Sequence, residues 1–535
     1  MMRELIRTDK KWSRAAVPAC IALFVFAVFS RSLSGKFLNW DDEYNFLSNA
    51  GYRGLAWANL KWMFTTLHMG PYQPLTWMSF GLDYLLWGMD PFGYHLTSVV
   101  LHGVNAAVFY LICRNLLGPA VRPGPAEENE KDILLSAGFA ALLFAVHPLR
   151  VESVAWVTER RDVLSGLFYL LAVLSYILTR RADGKNVSFG RGHLFPLAAF
   201  ALALLSKGSA VSLPAVLILL DVYPLKRLPA DPKLWFSREN RHVWLEKVPF
   251  FALAAVFGAV GVAGQSLMEA RLSDTPGFGW GVMRSAPFYI WKTLVPLDLS
   301  PLYGLYTPGA PGFDRPLLLS VLAIAALTAG AIALRRRWPA VPAVWLYYLI
   351  TLSPTLVIIK FGHQPVADRY SYLSCLGFAL LGGAALLRCR QGTRGRARRF
   401  CSLLAGTLIC VSAALAWRQQ RFWLDAVSLW EHALSVAPDA RQAHNNLGVV
   451  LAGLGRTEEA VEHYREALRI RPDYPNARHN LGLALAALGR KEEAVAQYRE
   501  ALRLKPYFTE ALNGLGLALS ALGRTEEAAA QHREA

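Results

Sequence analysis

Charge is scarce in this chain. Only 18% of its 535 residues are charged, while 54% are hydrophobic. That excludes a disordered chain, which cannot be so apolar. Metal-type cysteine pairs are missing as well. The six cysteines, Cys20, Cys113, Cys375, Cys389, Cys401 and Cys410, lie in or beside apolar runs, and no disulfide framework is visible. The polar part has no basic patch interleaved with aromatics, so the net charge of +17 does not point to nucleic acid. The first apolar run has a basic front but no small-residue cleavage site. It reads as a retained span, not a removed signal peptide.

Apolar sequence is what the chain has in plenty. Runs long enough to cross a bilayer recur from residue 15 to residue 417 and then stop. Spans are expected near 15–33, 95–113, 133–148, 162–179, 194–206, 209–222, 248–266, 316–334, 341–359, 370–387 and 400–417, about eleven in all. The run "GVMRSAPFYIWKTLVPL" (281–297) is excluded by charge. A crossing there would place the basic loops "RRRWPA" and "RCRQGTRGRARR" outside, against the positive-inside rule. It is read as an interfacial or re-entrant helix. The N-terminus is then inside. The segments "LNWDDEYNF" (38–46), "HPLRVESVAWVTERRD" (147–162), "SKGS" (206–209) and "KFGHQPVADRY" (360–370) face outward, with everything after 417.

The end of the chain repeats itself. "NLGVVLAGLGRTEEAVEHYREALRIRPDYPNARH" (446–479) is followed by a second copy at 480–513, and a third starts at Gly514. The period is the 34 residues of tetratricopeptide helix pairs. Leu447, Gly448, Ala460, Tyr464, Ala467 and Pro472 recur as Leu481, Gly482, Ala494, Tyr498, Ala501 and Pro506. Ala426, Trp430, Ala433 and Pro438 match an earlier half-repeat. The expected organisation is a membrane domain at 1–417 and a repeat array at 418–535, comprising a half-repeat, two full repeats and a truncated third. Asn446 and Asn480 hold equivalent first-helix positions, where a polar side chain either bonds an extended peptide or simply lines the groove.

The outward segments collect the unusual residues. Asp41 and Asp42 are adjacent acids at a membrane face. One acid would suffice to cap a helix starting near Glu43; two repel unless paired with a cation, a metal or a proton. His147, Arg150, Glu152, Glu159, Arg160, Arg161 and Asp162 crowd one short loop, some as a site and some as structural ion pairs. Lys207 lies between two apolar runs, where it either reaches an outer cavity or snorkels to the interface. Asp368 and Arg369 precede a span, and a guanidinium there is well shaped for a lipid phosphate.

The ordered motifs "WDDEYNF", "YQPLTWMSFGLDYLLWGMDPFGYHLTSVVLH", "HPLRVESVAWVTERRDVLSGLFYLL", "LLSKGSAVSLP" and "ADRYSYL", followed by tetratricopeptide repeats, resemble the transmembrane and TPR-containing O-mannosyltransferase family. That family belongs to the GT-C glycosyltransferases. The resemblance implies an all-α, polytopic GT-C-type membrane fold followed by an α-solenoid. By the same resemblance the acidic motif falls on Asp41 and Asp42, and the His-Pro motif on His147 and Pro148 with Glu152 after it. Further motif positions fall on Arg160 and Asp162, on Ser206 and Lys207, and on Asp368, Arg369 and Tyr370. Animal members look like "SKE" where this chain has Gly208. Short loops and a composition rich in Ala, Arg and Gly look bacterial, with the inner membrane as the location.

The implied reaction is inverting, single-displacement transfer of mannose or another hexose. The donor is a polyprenyl-phosphate sugar, and the acceptor a hydroxyl, expected on Ser or Thr of a protein. Asp41 or Asp42 takes the proton as base, with a slight preference for Asp41 as base and Asp42 as cap. Arg369, Lys207 and Arg160 answer the leaving phosphate. No cofactor is required, and the paired acids leave a divalent cation open. The rivals are a transferase acting on a lipid or glycan, and a non-catalytic membrane scaffold with a peptide-binding array.

Overall fold

The computed structural model describes residues 2–120, 125–182, 192, 194–269, 281–303, 315–357 and 366–528. Much of the expected outer loop 360–370, and the chain after 528, fall outside the described residues. Those described are helical or irregular, with no strand among them. The chain divides into two compact units. One comprises Met1–Gly35, Tyr44–Leu299 and Leu305–Arg421; the other comprises Lys36–Glu43, Ser300–Gly304 and Phe422–Ala535.

The first unit is built of apolar helices. Among the described residues five are long and apolar enough to cross a membrane: Ala16–Ser34, Pro91–Ala120, Val157–Arg180, Leu317–Leu334 and Gly395–Trp423. Three bent pairs raise the number to eight if each is one span. The expected eleven is not confirmed among the described residues, and the expected span 341–359 ends outside them. Two other expected spans are short. Leu194–Ser206 and Gly208–Val222 are short helices broken at Lys207, whose backbone is extended at φ −156° and ψ 129°.

The helix Pro91–Leu117 lies at the centre of this unit. Pro91 suits its first turn, and the Asp90 carboxylate caps it by accepting the Phe92 N–H at 3.0 Å. It packs against Met2–Phe29, Ala126–Ala145 and Arg160–Ala182. Two buried polar residues on one face of it reach three other segments. The His102 ring bonds the Tyr372 hydroxyl and the Ala145 carbonyl, both at 2.9 Å. The Asn105 amide donates to the Val163 carbonyl and to the Tyr372 hydroxyl, both at 2.8 Å. Gly166 makes this approach feasible, since a Cβ there would stand 2.7 Å from the Tyr372 ring. The chain before His147, the helix after Glu159 and the turn after Arg369 are thus pinned to one helix.

Cys389 and Cys401 form a disulfide, against the expectation of no such framework. The turn between Leu376–Gly392 and Gly395–Gln420 brings their Cα atoms to 6.6 Å, a closeness the spacing of 12 residues did not reveal.

The second unit carries the repeats. Helices run Ala426–Val436, then Arg441–Gly453 with Thr457–Ile470, Pro475–Ala487 with Lys491–Leu504, and Thr509–Ala521. Gly455, Gly489 and Gly523 sit at φ +79°, +78° and +77° between the helices of successive pairs, a left-handed turn that glycine adopts without strain. Tyr464 and Tyr498 fill the space left by Gly448 and Gly482, where a Cβ would stand 2.6 and 2.7 Å from the rings.

Candidate functional site

In the first unit, three segments meet around a group of six charges. Glu152 lies in the short helix Val151–Ala155, and Glu159 in the turn after it. Arg161 and Asp162 open the helix Arg160–Ala182, where Asp162 suits the positive end of the helix dipole. Lys207 sits in the extended break described above. Arg369 comes from the turn Asp368–Tyr370.

The pairing is dense. The Arg369 backbone N–H donates to Glu152 Oε2 at 2.8 Å, and its guanidinium pairs with Glu152 Oε1 and, at 3.4 Å, with Glu159 Oε1. Lys207 Nζ donates to Glu159 Oε2 at 3.0 Å and to Asp162 Oδ1 at 2.6 Å. The Arg161 guanidinium holds both Glu159 oxygens, with Nε at 3.2 Å from Oε2. Ser153 donates to Asp162 Oδ2 at 3.2 Å. The Arg369 guanidinium also lies 5.5 Å from the Trp156 ring and 5.0 Å from the Tyr370 ring.

Exposure is uneven across the group. The side chains of Arg161, Lys207 and Arg369 are 18%, 14% and 11% exposed, whereas Glu152 and Glu159 are at 1% and 0%. Three carboxylates thus hold three cations whose outer edges stay accessible.

Other expected site residues have structural positions. Arg160 is a correction. Its side chain is fully buried, pairs with Asp83, donates to the Tyr94 carbonyl at 2.6 Å and lies 4.4 Å from the Phe80 ring. Its neighbour Arg161, not assigned a binding role from the sequence, takes the open side. One step along a helix turns the side chain by about 100°. His147 is nearly buried and both ring nitrogens meet backbone: Nδ1 accepts the Leu149 N–H at 3.3 Å, and Nε2 bonds the Thr293 carbonyl at 3.1 Å. It shapes the turn. Asp368 is buried, and its backbone carbonyl accepts the Ser371 hydroxyl at 2.6 Å. Gly208 is exposed, with nothing within 4 Å of where a Cβ would stand, so the longer residue expected in animal relatives has room there.

A second buried charge group offers a comparison. Asp221 accepts from Tyr176, Arg227 and Lys247, and Glu246 from Arg227. Lys247 is fully buried, and Arg227 keeps an edge 12% exposed, close to that of Arg369. An apolar cavity of about 440 Å³ lies in the same unit, lined among others by Phe109, Leu170, Val216, Tyr347 and Leu380.

Asp41 and Asp42 belong to the second unit. Asp42 is fully buried, and its carboxylate accepts the Leu38 N–H at 2.9 Å. This bond closes the turn ahead of the helix Glu43–Leu47, where the sequence suggested a cap for the helix itself. Asp41 is partly exposed. Asn446 and Asn480 are engaged with neighbours: Asn445 donates to Asn446 Oδ1 at 3.1 Å, and Asn480 donates to Asn445 Oδ1 at 2.9 Å. Among the described residues no three His, Cys, Asp or Glu side chains form a metal-holding group.

Comparison with known proteins supports the repeat array and the relationship that the motifs implied. A tetratricopeptide repeat family matches residues 403–473 and 439–506, and a second one matches 479–535. Protein O-mannosyl-transferase Tmtc1 of Drosophila melanogaster is 26% identical over 547 residues, covering 83% of this chain and 60% of that protein. Protein O-mannosyl-transferase TMTC1 of Homo sapiens is 26% identical over 492 residues, covering 81% and 53%. The chain is homologous to these transferases, as the motifs implied, and spans between half and two thirds of their length. Both are animal proteins and lend no support to a bacterial source. A crystal structure of MamA protein is 18% identical and covers 28% of this chain and 87% of its own, at a TM-score of 0.21.

Proposed function

We propose that this chain is a membrane glycosyltransferase. It moves a hexose, mannose by analogy with its relatives, from a polyprenyl-phosphate donor to a Ser or Thr hydroxyl of a polypeptide. The observation that carries the reading is the trio Arg161, Lys207 and Arg369, held edge-outward over buried carboxylates. The acceptor oxygen attacks the anomeric carbon, its proton passes to a carboxylate, and the bond from that carbon to the phosphate oxygen breaks. The transition state is oxocarbenium-like. The departing lipid phosphate carries the negative charge, and the cationic trio stabilises it. Carboxylates already hold the cations in place, so little reorganisation accompanies the step. Asp41 is the better base because it is partly exposed, whereas Asp42 is fully buried.

The topology that goes with this reading has eleven spans and an inside N-terminus. It puts residues 147–162, 206–209 and 366–370, and the repeats, on the extracytoplasmic side. The repeats would raise the local concentration of the polypeptide acceptor.

The test is purified full chain supplied with a panel of polyprenyl-phosphate sugars and a Ser/Thr peptide, with mass spectrometry of the product. Asp41→Asn is expected to lower transfer by about 10²–10⁴-fold. Transfer at the wild-type rate would remove Asp41 from the base role. Transfer confined to lipid or glycan acceptors would overturn the protein acceptor.

A further inference from the structure

The second unit contains a stretch of chain that no repeat pattern supplies. Residues Lys36–Glu43 group with the repeats, although nearly four hundred residues separate them in sequence. The contacts that hold the stretch include the following. The Lys36 N–H donates to the Leu424 carbonyl at 2.8 Å. The Asn39 amide nitrogen donates to the Asn446 carbonyl at 3.2 Å. The Trp430 indole N–H donates to Asn39 Oδ1 at 2.6 Å. Trp40 stacks on Trp430, with centroids 4.6 Å apart and planes 18° from parallel.

These contacts do more than fill space. The stack alone would bury an aromatic ring. Asn39 is held at both ends of its amide, which sets its orientation as well as its position. Asp41 follows Trp40 directly, about 3.8 Å along the backbone. On its other side the buried Asp42 carboxylate ties back to Leu38. Asp41 therefore lies between two anchors, one provided by the repeats and one by the segment itself.

We infer that the repeat unit is the positioning device of the acidic motif: Trp430 and the Asn446 carbonyl, through Asn39 and Trp40, fix the backbone that presents Asp41. The backbone carbonyl of Asn446 receives the chain's own segment, while its side chain accepts from Asn445. The repeats then act on the reaction through the acid as well as through any polypeptide they bind. The inference rests on the base role proposed for Asp41. Trp430, Asn446, Asn39 and Trp40 are positioning residues and touch no reacting atom.

The test uses Asn39→Ala and Trp40→Ala in the full chain, because both residues lie outside the repeat helices and leave them intact. Amide exchange at Leu38 and transfer kinetics are read together. The expected result is exchange at Leu38 at least ~10-fold faster in both variants. In the same proteins kcat falls by about 10²-fold, the scale of a misplaced catalytic group. The KM for donor stays within about twofold, because ground-state binding is untouched. Trp40→Phe restores both readouts by keeping a ring on Trp430. Unchanged exchange in both variants overturns the anchor. Faster exchange with unchanged kcat overturns the positioning role. A wild-type chain that transfers no sugar overturns the base reading of Asp41 and not the anchor, because Leu38 exchange does not depend on turnover.

Discussion

The two units use the same arginine–carboxylate pair in opposite settings. In the repeats Arg456–Glu459, Arg490–Glu493 and Arg524–Glu527 occupy one position in three successive copies, with side chains between 39% and 53% exposed. In the first unit Arg160 and Glu159 are fully buried, and the partners of Glu159 keep only narrow edges in the open. An exposed pair gains little, because water screens it and ordering two long side chains costs entropy. A buried group is costly to assemble and costlier to break. Buried charge is therefore poor evidence for stability and better evidence for a task. The Asp221 group adds a qualification: it leaves one such edge, at Arg227, where the group around Glu159 leaves three.

The largest effect should come from Glu159→Gln. It leaves three cations sharing two carboxylates in a buried setting, a change of the kind that costs about 3–5 kcal/mol. Thermal denaturation in detergent should show a midpoint several degrees lower. A shift of under about one degree would mean that water already screens the group.

An intermediate effect is expected from pH in the repeats. Burial, and then the charge of His444 3.0 Å away, holds His463 below the ordinary histidine value. Burial does the same to His479, against a weaker upward pull from Glu510. Below about pH 6.5, the ordinary value, the unfolded repeats bind more protons than the folded ones. Stability from these rings is complete above that pH and is lost as the pH falls toward the depressed folded values. Amide exchange in Arg441–Gly453 and Thr457–Ile470 should accelerate as the pH falls below about 6.5, beyond the intrinsic pH effect. His463→Gln should flatten that dependence; an unaltered profile would remove His463 as the cause.

The smallest effect belongs to Arg490→Ala. Its pair with Glu493 is solvated, so neither the denaturation midpoint nor repeat-helix exchange should change measurably. A clear loss would show that this repeated pair holds the helix turn in place, which would narrow the contrast between the units.

Much of this molecule is legible in the order of its residues. Apolar runs, the 34-residue period, the turn glycines and the ordered motifs are local patterns, and local patterns survive in the sequence. The group formed by Glu152, Glu159, Asp162, Lys207 and Arg369 is legible as a set of candidates because each residue sits at the end of an apolar run. Its partition is not. Arg160 and Arg161 are adjacent and chemically alike, and only the packing of Phe80, Asp83 and Tyr94 assigns one of them to the core. His102 and Tyr372 fall inside the ordered motifs and Asn105 shares a helix face with His102, yet nothing local shows that the three pin the site segments together.

By itself the sequence determined the helical class, the membrane character, the repeat array and the relationship to the O-mannosyltransferases, because each rests on periodicity, hydropathy or ordered residues within short windows. The tertiary structure alone decided which cations stay accessible, that Asp42 is committed to Leu38, and that Lys36–Glu43 joins repeats nearly four hundred residues away. Those outcomes depend on which surfaces meet across the chain. A hydrogen bond between Asn39 and Asn446 leaves no periodic trace at either end.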